Sequence, residues 1–151
     1  MKTIRKRKGR IGMWIVLSII GLIALGMAGA VVFTGPGRNE LQTMSIKAVD
    51  FKNLRDGVYK GAYRGTKDSF RDTAVEVTVA SGAVTKVKVT EGALANEKQT
   101  ADIGKGQTIN NLFDRVVKSQ SLQVDVISGA TLTSNAHLKA VENALAQAAK
   151  K

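Results

Sequence analysis

The chain has no cysteine, one proline and one histidine. Without a thiol there can be no disulfide, iron–sulfur cluster, thiolate zinc site or lipid-modified cysteine. A single histidine, His137, leaves a histidine-rich metal or haem site without ligands. If the protein does redox chemistry, the redox group must therefore be borrowed. Acidic residues are missing from the first ten positions, where Lys2, Arg5, Lys6, Arg7, Lys8 and Arg10 stand unopposed. No internal repeat or low-complexity segment is present.

At 151 residues there is room for one compact domain, with length left for an anchor and a linker. The net charge of +11 would suit nucleic acid or an anionic membrane. Its distribution argues for the lipid bilayer as partner and against nucleic acid, because beyond the basic start (1–10) the charge is mild and mixed. From Ile11 to Phe33 the chain is apolar apart from Ser18 and several glycines, and 23 residues exceed the roughly 20 needed to cross a bilayer core. The stretch is hydrophobic all round, with Trp14 near the basic end, which predicts a transmembrane anchor over 11–33. By the positive-inside rule the N-terminus is cytoplasmic, giving a single-pass protein of the cell membrane with an extracytoplasmic C-terminal domain. The competing reading is a cleaved signal peptide ending near Ala28-Gly29-Ala30. Either way the domain is exported. Thr34-Gly35-Pro36-Gly37 is expected to end the span, since proline lacks the donor and glycine favours other backbone conformations. Residues 34–54 then form a linker, and 55–151 the domain.

Asp56-Gly57 introduces a strand at Val58–Tyr63. Thr73–Ala80 alternates, with Val75, Val77 and Val79 on one face; Ser81-Gly82 turns the chain; Val84, Val87 and Val89 continue it, so 73–90 predicts a hairpin. The region 91–105 is polar and predicted to be a loop. Ile109, Leu112, Phe113, Val116 and Val117 form the stripe of an amphipathic helix over Thr108–Ser119. Leu122–Ile127 is predicted to be another brief strand. A last helix from about Ser134 to Lys150 buries Leu138, Val141, Leu145 and Ala148, with Lys150 and Lys151 at its dipole-favoured end. The fold class is a small α+β domain, an antiparallel sheet covered by helices.

Between the predicted last strand and helix lies Asp125-Val126-Ile127-Ser128-Gly129-Ala130-Thr131-Leu132-Thr133-Ser134. A strand that ends in small, hydroxylated residues and enters a helix presents backbone N–H groups with no bulk in the way, the makings of a phosphate site. The same residues also describe an ordinary turn with a Thr or Ser cap.

The order Asp125-x-x-Ser128-Gly129-Ala130-Thr131 resembles the flavinylation motif of the FMN-binding domain family. That family includes domains in the C subunit of sodium-pumping NADH:quinone reductase and the G subunit of the Rnf complex. Thr133 and Ser134 match its continuation, and Asp56-Gly57-Val58-Tyr59-Lys60-Gly61 is similar to its opening, so the likeness spans about Asp56 to Leu145. The pump subunits are considerably longer, which points to a stand-alone carrier. The resemblance implies that a flavin transferase moves FMN from FAD onto Thr131 as a covalent phosphoester, making a phosphoprotein. On that reading Ser128, Gly129 and Ala130 give the close approach, Asp125 braces the turn or helps the transferase's metal, and Thr133 is the rival acceptor. Leu94, Ala95 and Thr100 are placed near the flavin by position alone, and His137 is either a surface residue or faces the phosphate. No catalytic residue and no metal ligand of the chain's own is expected. The implied function is electron relay from a membrane donor, such as a quinol-linked dehydrogenase, to an external acceptor. A self-contained flavin-dependent reductase and a flavin-free surface module are the alternatives.

Overall fold

The computed structural model describes residues 9–149, without the side chains of 9–12 and 27–34. An α-helix, α1 (Gly9–Thr43), opens the chain, and the boundary between two compact units falls between Pro36 and Gly37.

In the first unit, the described side chains of α1 are exposed all round. Trp14, Leu22 and Leu25 are 68%, 71% and 73% accessible. Among the described residues no helix is long and apolar enough to cross a membrane. The predicted span at 11–33 falls partly on residues outside that description. So do Lys150, Lys151 and most of the basic N-terminal segment.

The expected helix break at 34–37 is not there: Pro36 lies inside α1, which runs on to Thr43. The reason is tertiary, because the last turns belong to the second unit and are held by it. Leu41 is 1% accessible in the core, and the Glu40 carboxylate accepts hydrogen bonds from the Thr66 amide (3.2 Å) and hydroxyl (3.0 Å). Burial alone would raise the Glu40 carboxyl, but these bonds from Thr66 hold it below the ordinary carboxylate range. The predicted linker is likewise packed rather than free, with Phe51 and Leu54 in the same core.

Among the described residues three strands form one antiparallel sheet in the order β1 (Gly57–Tyr63), β2 (Thr73–Ala80), β3 (Ala83–Gly92). The alternation in β2 does what its period requires: Val75, Val77 and Val79 pair with Val89, Val87 and Val84 and are all buried, while Glu76 and Thr78 turn outward. A register shift at Thr78/Val79 absorbs the uneven spacing of the valines on β3. The β2–β3 turn is held by Asp56, whose carboxylate accepts the Ser81 and Gly82 amides at 2.9 and 2.7 Å.

A 3-10 turn at Asn96–Thr100 leads to α2 (Ile109–Ser119), and a loop then leads to α3 (Thr131–Ala148). The stripe on α2 packs against β3, and α3 lies against β1 and β2. As predicted, Leu138, Val141, Leu145 and Ala148 are buried. Gly61 lets β1 and α3 meet backbone to backbone, since a Cβ there would strike the Ala140 carbonyl and the Ala144 amide.

The predicted strand at 122–127 is not a strand. Leu122 and Ile127 are buried as its pattern requires, but side chains rather than a ladder satisfy its backbone. Arg115 Nη1 donates to the Asp125 carbonyl (2.7 Å), and the Ile127 amide donates to Ser134 Oγ (3.2 Å).

Candidate functional site

The motif turn lies where the 122–127 segment enters α3. Ile127–Ala130 closes a turn through the Ala130 amide on the Ile127 carbonyl (2.9 Å), with Gly129 at φ +87, a conformation that favours glycine. Ser134 holds the turn from inside: its Oγ donates to the Ala130 carbonyl (2.9 Å) while accepting the Ile127 amide. From the other side Gly104 packs against the Ser128 carbonyl, in a loop that Asp102 ties through the Gly104 and Gly106 amides at 2.8 and 3.0 Å.

Helix α3 begins one turn earlier than its apolar stripe suggests. Its N-cap is Ala130, which has no side-chain cap, and the Ser134 amide bonds to the Ala130 carbonyl at 2.9 Å. The amides of Thr131, Leu132 and Thr133 therefore precede that first intrahelical bond, at the positive end of the dipole. Thr131 is the first helical residue, not the cap, and it is exposed. Among the described residues no hydrogen bond uses its hydroxyl, so the oxygen is free to be modified.

A cleft of about 450 Å³ opens over this end of α3, lined by Arg38, Gln42, Arg71, Gly129, Ala130, Thr131, Leu132 and Thr133. Two arginines from distant parts of the chain thus share one cleft with the Thr131 backbone. Arg71 Nη1 is buried with no hydrogen-bond partner, and its guanidinium carbon stands 5.3 Å from the Phe70 ring centroid. A buried guanidinium nitrogen without an acceptor is costly unless a ligand completes it. An anion in the cleft would be such a ligand.

A second cavity, of about 230 Å³, adjoins the first and shares Arg71 and Thr133 with it. Its walls are mostly apolar, including Phe70, Leu94, Ile103 and Ala136, with His137 among them. Phe70 is 73% accessible at its rim. His137 is buried: one ring nitrogen, Nδ1, lies 2.8 Å from the Thr133 carbonyl, and Nε2 lies 3.1 Å from Thr73 Oγ1. Burial pushes the imidazole below its ordinary value, the bond to the Thr133 carbonyl opposing this in part.

Of the sequence-predicted site residues, Gly129, Ala130, Thr131 and Thr133 come together at the cleft, and Ser128 is exposed on the adjoining turn. Asp125 does not join them. Its side chain is exposed and lines a different surface hollow with Arg115 and Lys118, and Ser134 does the bracing expected of it. Leu94 does line the apolar cavity; Ala95 packs on the core instead, and the Thr100 hydroxyl bonds back within the 3-10 turn to the Glu97 carbonyl (2.9 Å). His137 is buried and lines the apolar cavity, not the cleft beside Thr131. Sequence reasoning missed Arg38, Gln42, Phe70, Arg71 and Ile103, which lie on a helix end and two loops. Only the packing of α1's last turns, the start of β2 and the loop before α2 beside α3 brings them in.

The model of a family described as FMN-binding domain matches residues 71–146, half of the chain. A crystal structure of the CPE2226 protein from Clostridium perfringens is similar at 28% identity, covering 63% of this chain and 88% of that one, with a TM-score of 0.47. No curated protein matches.

Proposed function

The chain belongs to the FMN-binding domain family, and from that premise we propose that it is a membrane-anchored, extracytoplasmic flavoprotein that carries FMN as a phosphoester on Thr131 and relays electrons. The observation that carries this reading is the cleft at a helix start that brings a free, exposed threonine hydroxyl together with Arg71, whose Nη1 has no partner. Those residues fit the group. Arg71, Arg38 and the amides of Thr131–Thr133 suit a phosphoester, and the adjoining apolar cavity with Phe70, Leu94 and Ile103 suits a flat ring.

In the loading step, Thr131 Oγ bonds to the FMN phosphorus of FAD on a flavin transferase. The phosphoanhydride breaks, AMP leaves with the electron pair, and the hydroxyl proton passes to a base of that enzyme. Thr133, two residues on, is half-buried and is the less accessible hydroxyl. Once bound, FMN supplies one- or two-electron chemistry, and the protein supplies orientation and electrostatics. Attachment through a diester also suits an exported domain, where a dissociable flavin would be lost by dilution.

The membrane anchor is supported by the exposed apolar surface of residues 13–26, continuous in sequence with apolar residues on both sides. A quinol-linked dehydrogenase in the same membrane is the class of donor that this placement favours.

The test is a denaturing gel of the full chain made alongside its transferase. Flavin fluorescence in the band, lost in Thr131→Ala, is the expected result. A dark wild-type band, confirmed by a mass without added FMN on any peptide covering 125–138, refutes the covalent form. Steady-state assays with external acceptors then separate a carrier from a reductase.

A further inference from the structure

His137 sits on the wall of the apolar cavity, and both of its nitrogens are already engaged by protein. It cannot hydrogen-bond a ligand there without giving one up. What it has left to offer a ligand is its charge.

The hydrogen-bond pattern allows that charge to change. The Thr133 carbonyl can only accept, so Nδ1 carries a proton in either state. Nε2 faces the Thr73 hydroxyl, which has one proton and two acceptors in reach, Nε2 and the Glu91 carbonyl, each at 3.1 Å. With His137 neutral, the hydroxyl donates to Nε2. With His137 charged, Nε2 donates to the hydroxyl, which swings its proton to the Glu91 carbonyl. Neither state leaves a donor of His137 or Thr73 unpaired, whereas a structural histidine needs only one of the two arrangements.

We propose that His137 takes up a proton when the flavin in the adjoining cavity is reduced, in a fraction of molecules set by pH, so that loaded protein binds more than one proton for each electron pair. This rests on the reading that FMN occupies the site. The balance closes with a quinol-class donor. The quinol gives up two electrons and two protons and becomes quinone; the electrons and one proton go to the ring, leaving it one negative charge, and the second proton goes to Nε2.

The surroundings leave His137 able to respond. Burial keeps it neutral by default, so an added negative charge is what would draw the proton in. From the loop before β2, Arg71 and Asp72 face the same cavity, one of each sign. On the β3 side the Glu91 carboxylate is paired with Arg64 at 2.6 Å. From α2 the neighbour is the uncharged Phe113 ring, centroids 6.2 Å apart, and on its own helix Lys139 and Glu142 pair with each other at 2.7 Å. A new charge within roughly 10 Å, at an effective dielectric of about 20, changes proton affinity on the order of tenfold.

Because the chain has one histidine, the imidazole can be followed alone. Full-length protein loaded by its transferase would be labelled with isotopic histidine and titrated by NMR, oxidised and then reduced with dithionite. The expected result is a proton affinity at least tenfold higher in the reduced sample, and no effect of dithionite in Thr131→Ala. In redox titrations near the pH at which His137 titrates, the pH dependence of wild type should exceed that of His137→Gln by about half a proton or more per electron pair. Should that variant fail to fold, the wild-type NMR titration decides. A mass spectrum without flavin overturns the underlying reading and this one with it. Flavin present with a His137 titration indifferent to redox state overturns this inference alone.

Discussion

Replacing Gly61 with alanine adds one methyl group at the point where β1 meets α3. In open space the change would stabilise the protein by about 0.4–1 kcal/mol, because alanine loses less backbone freedom on folding. Here the new Cβ would run into the Ala140 carbonyl oxygen and the Ala144 amide, and lie 2.8 Å from Ala144 Cα. All three are backbone atoms of a packed helix, so no side chain can swing aside. Relief requires α3 to move off the sheet, and overpacking of this kind costs about 1–3 kcal/mol. The high end applies, so the net loss should be about 2 kcal/mol. In urea the midpoint should fall with the slope unchanged, and in a thermal scan the melting temperature should drop by roughly 10 °C. Since α3 also carries Thr131 and His137, slower flavin loading should accompany the loss. A Gly61→Ala protein as stable as wild type, or more so, would refute the claim that direct backbone contact sets the spacing of β1 and α3.

Other substitutions test other parts. Val77→Ala, at a fully buried position on the central strand, should cost about 2–3 kcal/mol in urea unfolding, the lost methyls plus the cavity they leave. Arg71→Gln should slow flavin loading under limiting transferase by about tenfold, followed as the flavinylated fraction by mass spectrometry, with Arg71→Lys between the two because it keeps charge but loses the planar fork. For pH, His137 in the folded chain lies below its ordinary value of 6.5 while the unfolded chain does not, so the unfolded state binds more protons in that window. The stability it contributes is full above about pH 6.5 and is lost as pH falls through the folded value; unfolding midpoints from pH 8 to 5, on the flavin-free Thr131→Ala background, should fall for His137 protein and stay flatter for His137→Gln.

The elements whose period is set by a local face were legible in the sequence. Val75, Val77 and Val79 could only be a half-buried strand, and the stripes on α2 and α3 behave likewise. The turn at Ser128-Gly129 was legible through its small residues. Leu122–Ile127 misled because apolar spacing reports burial and says nothing of whether a ladder partner exists. Pro36 misled for a related reason: its local penalty is real, but Leu41 and Glu40 fasten the chain beyond it to the domain. Arg38 and Arg71 stand 33 positions apart in sequence (71 − 38) and carry no pattern. Their convergence is a product of packing, and residues of that kind become visible only once the fold is known.

Ser134 fastens the motif turn on its inner side, where nothing needs to change, and leaves the outer side bare. A modifying enzyme would thus meet a target already in its final shape, and the newly made protein and the finished one would share a scaffold. An addition there would be made to a settled surface, open to the chain long after folding is complete.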